Sequence, residues 1–433
     1  MENNKICIVG LGYVGLTLAM HAIRNNYEVH GIEILEDTFD IISSGSTHFH
    51  EPGLDELLKL SLRKNFFIHK DIPKNIDFDV FVITVGTPLV RGQKYPDMDV
   101  LENAIDSVTP FVSEDNIVIL RSTIPVGTSR LIAKKFTETQ KLSKANVSFC
   151  PERTAEGQAL VELQSLPQII SGNCVEATDM ARSFFEPLTD EVIEANSLEE
   201  AELIKLFNNT YRDASFAIAN TFNQIAQSFN IDGAQAINKA NHNYSRSSIP
   251  KPGFVAGPCL EKDAYILSSN MPEGDLKNFL MSIRSANESL ELHVSDFIKN
   301  FLSRNSSSKV LISGLAFKGV PQTNDLRGSS SVNILSSLTQ FSKNITIHDF
   351  MNSKKNLEER LELHSIEPEE IFEHTTSFYD LIIILNNHPN YKNIKMKQFI
   401  QEQINKGSQV VDSWGVMELP DQLTLSNLFI EES

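Results

Sequence analysis

Cys259 stands in Pro252-Gly-Phe-Val-Ala-Gly-Pro-Cys-Leu-Glu-Lys262-Asp263, a stretch whose two glycines and two prolines mark it as a loop. A cysteine there, with Lys262 three residues on, fits a nucleophile whose thiolate is favoured by nearby positive charge; an ordinary structural thiol fits as well. Upstream, Lys205 and Asn209 lie four residues apart in a helical pattern, so they share one face, with Asp213 a turn further on. An ammonium and an amide aimed at one point can stabilise a developing oxyanion, each such donor contributing roughly 3–4 kcal/mol in comparable acyl chemistry. A solvated helix face competes with that reading, and the apolar neighbours Ile204, Leu206 and Phe207 weigh against it. Pro151-Glu-Arg-Thr-Ala-Glu156-Gly157 follows an apolar run ending at Cys150. A carboxylate at such a strand end, here Glu152, can activate water, best with its pKa raised by burial. Glu156 reads instead as a helix-start acid.

A second group of residues points to a dinucleotide. Gly10-Leu-Gly12-Tyr-Val-Gly15 directly follows an apolar run and opens a helical stretch, the context this fingerprint requires. The first glycine permits a tight turn, the second lets the backbone approach a pyrophosphate, and the third lets helix pack on strand. The helix start then offers free amides to the phosphates. Gly31-Ile-Glu33 ends the second apolar run, where an acid can accept hydrogen bonds from the adenosine ribose and repel a 2′-phosphate, so NAD is expected rather than NADP. Val85-Gly-Thr-Pro88 and Ser122-Thr-Ile-Pro125 each follow a strand-like run, at the carboxyl edge where open α/β sheets bind ligands.

The elements that must position these residues are α/β in texture. Lys5–Val9, Glu28–Ile32, Val80–Val85, Ile117–Leu120 and Val147–Cys150 are short apolar runs separated by helix-length stretches, the pattern of a parallel sheet with crossover helices. At Ser197-Leu-Glu-Glu200 a capping box opens a segment without proline or glycine to about Phe229. Apolar residues recur there at helical spacing (Leu203, Leu206, Phe207, Phe216, Ile218, Phe222, Ile225), which predicts one helix of roughly 30 residues, about 45 Å long. Such a helix can be a spine between domains and a dimer surface, and Asp232-Gly233 is expected to end it. From about Ser307 the α/β pattern repeats with Lys309–Ser313, Ile345–His348, Leu381–Leu385 and Gln409–Asp412, and with a helix-length stretch at Ser331–Thr339. The expected fold is two doubly wound Rossmann-like domains joined by a long central helix, over 1–196, 197–306 and 307–433.

Composition excludes several classes. With 433 residues the chain exceeds one ordinary core. The 41% hydrophobic and 22% charged content is that of a globular protein rather than a disordered one. A net charge of -18 argues against nucleic acid and anionic membranes as partners, since that field repels phosphate at long range. Cys7, Cys150, Cys174 and Cys259 are far apart with no CxxC pair, so neither a metal site nor a disulfide framework is indicated, and reduced thiols in a cytoplasm are expected. Ile6–Met20 imitates a signal-peptide core but carries periodic glycines and lacks a basic leader beyond Lys5. No other stretch approaches the roughly 20 apolar residues of a membrane span.

Taken with Gly314-Leu-Ala-Phe-Lys-Gly319 and Asp325-Leu-Arg327, these motifs resemble the UDP-glucose/GDP-mannose dehydrogenase family over nearly the whole chain and in its domain order. The resemblance implies an NAD-dependent nucleotide-sugar 6-dehydrogenase that oxidises a sugar's primary alcohol to a carboxylate in two hydride transfers. Cys259 is implied to capture the aldehyde as a thiohemiacetal and to carry the later thioester, and Glu152 to direct water onto it. Lys205 and Asn209 are implied to stabilise oxyanions, and Thr123 and Asp263 to place water and cysteine. Gly10, Gly12, Tyr13, Val14, Gly15, Glu33, Thr87, Pro88, Thr123 and Lys262 are implied to hold NAD. Glu152, Arg246, Phe254, Gly257, Lys318 and Arg327 are implied to hold a UDP-sugar, with no metal. A homodimer through the central helix, a cytoplasmic location and a role in surface-polysaccharide precursor synthesis are also implied.

Two departures limit what the resemblance implies, and the first leaves the sugar open between UDP-glucose and the UDP-N-acetylhexosamines. Arg246 before Ile249-Pro250, together with Tyr211-Arg-Asp213 and Pro151-Glu-Arg153, looks like the N-acetylhexosamine branch. Lys262 looks like the UDP-glucose branch. Asp412-Ser-Trp414 lacks the basic residue many relatives carry near that position, which leaves part of the nucleotide contact open. Two other readings share the scaffold. A β-hydroxyacid or 6-phosphogluconate-type dehydrogenase has no use for the Cys259 loop, and a binding regulator has none for Lys205 and Glu152.

Overall fold

The computed structural model of the chain describes residues 5–304, 307–338, 344–372, 377–417 and 423–428. Its contacts divide the chain into two units, Met1–Asn209 with Tyr265–Pro272, and Thr210–Ala264 with Glu273–Ser433.

In the first unit the apolar runs become a six-stranded parallel sheet: β1 (Lys5–Val9), β2 (Glu28–Ile32), β3 (Phe66–His69), β4 (Val80–Ile83), β5 (Ile117–Leu120) and β6 (Asn146–Phe149), in the order β3-β2-β1-β4-β5-β6. Alternate residues serve two cores, one on each face. Ile6, Ile8, Val82 and Ile119 enter the first, Cys7, Val9, Phe81 and Val118 the second. Burial on both faces is why these strands read as continuous apolar runs rather than alternating ones. Helices α1 (Tyr13–Arg24), α2 (Glu36–Ser43), α3 (Leu54–Ser61), α4 (Asp99–Val108), α5 (Thr128–Gln140), α6 (Ala159–Ser165) and α7 (Val175–Phe185) complete the layers, and β7 (Gln168–Ile170) pairs with β8 (Val192–Glu194) as a separate ribbon.

The expected spine is α8 (Leu198–Ser228), a single helix of 31 residues. Its start corrects one detail. Ser197 Oγ does accept the amide of Glu200 at 3.1 Å, but the Glu200 carboxylate turns to the amide of Asn196 at 2.5 Å instead of closing the box on Ser197. Its end corrects another, because Asp232-Gly233 begins a helix rather than ending one. Asp232 caps α9 (Gly233–Asn241) by accepting the amide of Gln235 at 3.0 Å, while α8 stops at Ser228 with Asn230 in the left-handed region at φ 58°.

Two further helices follow, α10 (Asp263–Ser269) and α11 (Asp275–Arg304). In the second unit β9 (Val310–Ser313), β10 (Ile345–His348), β11 (Ser365–Ile366), β12 (Leu381–Ile384) and β13 (Gln409–Asp412) form a parallel sheet in the order β11-β10-β9-β12-β13. It is covered by α12 (Ser330–Leu338), α13 (Lys354–Leu361) and α14 (Ile394–Asn405). The expected helix at Ser331–Thr339 is α12, and Thr339 lies outside the described residues. Two doubly wound sheets joined by a long helix are therefore present, as the spacing of apolar runs predicts.

Candidate active site

The glycine fingerprint occupies the turn between β1 and α1 at the point where the strand order reverses, the usual ligand crevice of such sheets. Gly10 has φ 92°, and a Cβ there would come within 2.9 Å of the Val85 side chain. A Cβ at Gly15 would overlap the Gly10 carbonyl, so helix and strand pack as closely as the third glycine was expected to allow. A Cβ at Gly12 would meet nothing within 4 Å, and α1 starts there with no side-chain cap. That open cradle under uncapped amides fits a pyrophosphate.

The loops after β4 and β5 close the same edge. Ser122 Oγ donates to the Val85 carbonyl at 2.7 Å and Thr87 Oγ to the Thr123 carbonyl at 2.6 Å, leaving Pro88 exposed beside them. Glu33 directly follows β2, and its carboxylate accepts the amides of Leu11 (3.1 Å) and Leu35 (2.9 Å), so it also braces the fingerprint turn. A carboxylate has about four acceptor positions, which leaves two for a ribose. The Tyr13 hydroxyl donates to Glu51 at 2.6 Å and accepts the Gly157 amide at 3.1 Å, while Tyr13 and Val14 form the first turn of α1.

Glu152 lies just past β6 and is buried, as are Lys205 and Asn209 on α8. The solvated-face reading of that helix stretch therefore fails, although Phe207 points outward at 56% exposure. The charge state of Glu152 departs from the expectation. Burial pushes its carboxyl up, but Arg121, the Thr154 amide and Lys205 together pull it below the ordinary carboxylate range. Arg121 holds one oxygen in an ion pair, and the amides of Arg153 and Thr154 bond the other, each at 2.7 Å. Arg153 itself folds back onto the Pro167 carbonyl.

The cysteine loop belongs to the second unit, where it is fastened on several sides. Gly257 donates its amide to the Gly328 carbonyl at 2.8 Å, and a Cβ on it would come within 2.6 Å of the Phe317 ring. Gly253 and Asn220 exchange two hydrogen bonds, at 2.9 and 3.0 Å. Arg284 on α11 donates to the Leu260 carbonyl at 3.2 Å and pairs with Asp213 at 2.5 Å, and Asn287 donates to the same carboxylate at 2.7 Å. Phe254 is buried in this frame and Cys259 is exposed. The Cys259 carbonyl accepts the amides of Lys262 and Asp263 as the loop winds into α10. Lys262 pairs at 3.1 Å with the buried Asp263, so its charge is matched by a carboxylate rather than directed only at the thiol.

The remaining substrate candidates are also in the second unit. Lys318 lies over the Phe317 ring at 5.2 Å, and Arg327 is exposed with its fork on Asp325. Arg246 is exposed and stacks over Tyr244 at 4.9 Å. Near Asp412-Ser-Trp414, Lys251 donates to the Trp414 carbonyl.

Sequence reasoning missed Arg121, Asn220, Arg284 and Asn287. An arginine directly after the apolar run Ile117–Leu120 must be buried and so must find an anion, which is a usable signal for Arg121. From Asp275 to Arg304 there is neither glycine nor proline, which would have revealed α11 and with it Arg284 and Asn287.

Profiles of the UDP-glucose/GDP-mannose dehydrogenase family match the chain in three pieces: its NAD binding domain over residues 4–189, its central domain over 199–289 and its UDP binding domain over 311–419. A UDP-N-acetyl-D-mannosamine dehydrogenase of Methanococcus vannielii is 30% identical over 409 residues, covering 93% of this chain and 90% of the relative. Among solved structures, a UDP-D-ManNAc dehydrogenase from Pyrococcus horikoshii is similar with a TM-score of 0.83 at 26% identity, covering 98% of this chain and 99% of that one. The native UDP-N-acetyl-mannosamine dehydrogenase of Staphylococcus aureus gives 0.82 at 26%, covering 99% and 100%.

Proposed function

This chain belongs to the UDP-glucose/GDP-mannose dehydrogenase family, and from that premise we propose that it oxidises carbon six of UDP-N-acetylmannosamine to the carboxylate through a thioester on Cys259. It is an NAD-dependent oxidoreductase of CH–OH groups and takes a UDP-sugar. The choice of sugar is supported by the relatives' names and by Arg246, Tyr211-Arg-Asp213 and Pro151-Glu-Arg153.

The Gly10–Gly15 turn, Glu33 and the Thr87, Pro88 and Thr123 loops would hold NAD, which would supply the hydride acceptor for both oxidations. Cys259 attacks the intermediate aldehyde, forming a C–S bond, and the Lys205 ammonium and Asn209 amide stabilise the oxyanion. After the second oxidation Glu152 directs water onto the thioester, with Thr123 and Asp263 helping to place water and thiol. Lys262, Phe254, Gly257, Lys318, Arg327 and Arg246 hold cofactor or substrate in this reading. The observation that carries it is Cys259 itself, exposed on a loop fastened at Gly253, Gly257 and Leu260.

A homodimer through α8 extends the reading. Phe207, Tyr211, Ile218, Phe222 and Ile225 follow helical spacing, and each is more than two-fifths exposed, from 44% at Phe222 to 74% at Tyr211. A stripe of that kind, about 27 Å long at 1.5 Å per residue, suits a second copy of the same helix. Among the described residues no helix is long and apolar enough to cross a membrane. The free cysteines suit a reducing cytoplasm, where the product would serve surface-polysaccharide synthesis.

The deciding experiment measures NADH formed per sugar consumed, with product mass, on UDP-N-acetylmannosamine, UDP-N-acetylglucosamine, UDP-glucose and GDP-mannose. Two NADH and a uronate from UDP-N-acetylmannosamine are expected. Two NADH from another sugar alone would replace the substrate, and one NADH from every sugar would remove the thioester.

A further inference from the structure

Arg121 follows β5 and is 3% exposed. A guanidinium keeps its charge in any protein, and a buried one needs a partner. Here Nη2 donates to Glu152 Oε2, Nη1 donates to Gln168 Oε1 at 3.0 Å, and the group lies 5.2 Å over the Phe185 ring. Gln168 is itself pinned, its Nε2 donating to the carbonyls of Pro151 (3.3 Å) and Ile169 (2.6 Å). On the other side Glu152 Oε1 takes the two amides of Arg153 and Thr154. An ionised carboxylate has about four acceptor positions. Three are committed to the protein, and the fourth is on Oε2, the oxygen that Arg121 holds.

We propose that Arg121 is a positioning residue for the hydrolytic step: it keeps Glu152 an anion and reserves the last acceptor position on Oε2 for the water that attacks the Cys259 thioester. This rests on the reading above, in which Glu152 directs that water. In the step the water oxygen bonds to the thioester carbon while one of its protons passes to Oε2. The C–S bond then breaks with its electron pair on Cys259, which leaves as thiolate. The second proton stays on the acid product, which ionises in water; nothing is oxidised or reduced.

Among the described residues, the ionisable groups that act electrostatically on the pair include Lys205 on α8, Arg153 next in the chain, His21 on α1 and the Cys150 thiol. Burial holds His21 toward its neutral form, with Nε2 on the Leu188 carbonyl. Removing Arg121 therefore leaves burial opposed mainly by Lys205 and two amides, and the carboxylate must take up a proton at higher pH than before.

The test uses the full-length enzyme with NAD and the sugar that yields two NADH, UDP-N-acetylmannosamine on the present reading. Two quantities are followed from about pH 5 to 9: kcat, and the fraction of chain acylated on Cys259 by acid quench and intact mass. Arg121→Gln is expected to move the acid limb of kcat up by about one pH unit and to accumulate acylated chain below it, with NAD affinity unchanged. Arg121→Lys, which keeps the charge, is expected to return the limb toward the wild-type position. A wild-type limb and no added acylation in Arg121→Gln would overturn the proposal. Glu152→Gln separates this from failure of the underlying reading: full turnover in that variant removes Glu152 from the step whatever Arg121 does. Should Arg121→Gln not fold, the infrared difference between wild type and Glu152→Gln at about pH 5 decides, near the ordinary range of a glutamate. A carboxylate band supports the proposal, and a protonated carbonyl band overturns it.

Discussion

In the first unit Gly10 leaves β1 at φ 92° with its amide on the Ile32 carbonyl, and Glu33 reaches back to the amide of Leu11. In the second, Gly314 leaves β9 at φ 89° with its amide on the His348 carbonyl, and Asp349 reaches back to the amides of Leu315 and Ala316. Each glycine abuts the loop across the switch point, Gly10 at Val85 and Gly314 at Asn386. The two turns then diverge. The first runs into α1 at Tyr13, presenting uncapped amides, whereas the second wanders to Ser330 before α12 begins. That longer segment seats the cysteine loop, through Phe317 against Gly257 and Gly328 on the Gly257 amide. A glycine and an acid after the first two strands thus set a doubly wound frame; only the immediate helix makes that frame a pyrophosphate site.

The two units separate most sharply when each loses its own key residue. Cys259→Ser is expected to abolish the formation of two NADH per sugar while leaving NAD affinity, measured by fluorescence titration, at the wild-type value. Wild-type turnover in that variant would remove the second unit's chemical role. Gly15→Val should do the reverse. Because even a Cβ there overlaps the Gly10 carbonyl, NAD affinity should fall by about 100-fold or more, while iodoacetamide still alkylates Cys259 at the normal rate.

The acids of the two turns differ at smaller scale. Asp349 is 1% exposed and accepts bonds from Leu315, Ala316, Met351 and Asn352, so Asp349→Asn should cost roughly 2–3 kcal/mol in denaturant unfolding with little effect on NAD. Glu33→Gln should weaken NAD binding by about tenfold, near 1.4 kcal/mol, with less loss of stability. Equal effects of the two substitutions on NAD would mean that the frames are not functionally distinct.

Much of this was legible in the chain itself. Continuous apolar runs gave the central strands within a residue or two, since doubly buried strands need no alternation. The edge and ribbon strands escaped notice: β8 is mostly exposed, and β11 is two residues long, so pairing rather than pattern creates them. Asp232-Gly233 was misread because a capping acid and a terminating glycine look alike until the next helix is seen. Among the site residues, Lys205 and Asn209 share a buried face as their spacing predicts. The partners of Glu152, Asp213 and Lys262 could not be read from spacing.

By itself the sequence determined the kind of chemistry: a glycine turn after a strand, an acid at the next strand's end, and a cysteine in a glycine- and proline-rich loop. These are local requirements of backbone geometry and residue type, so they survive without knowledge of the fold. Only the tertiary structure decided the charges. Glu152 is lowered rather than raised because Arg121, 31 residues away, meets it in a desolvated place, and the cysteine loop is held by Arg284, which pairs with Asp213 71 residues off. Desolvation and Coulomb attraction depend on which groups folding brings within a few ångströms, and sequence separation does not report that distance.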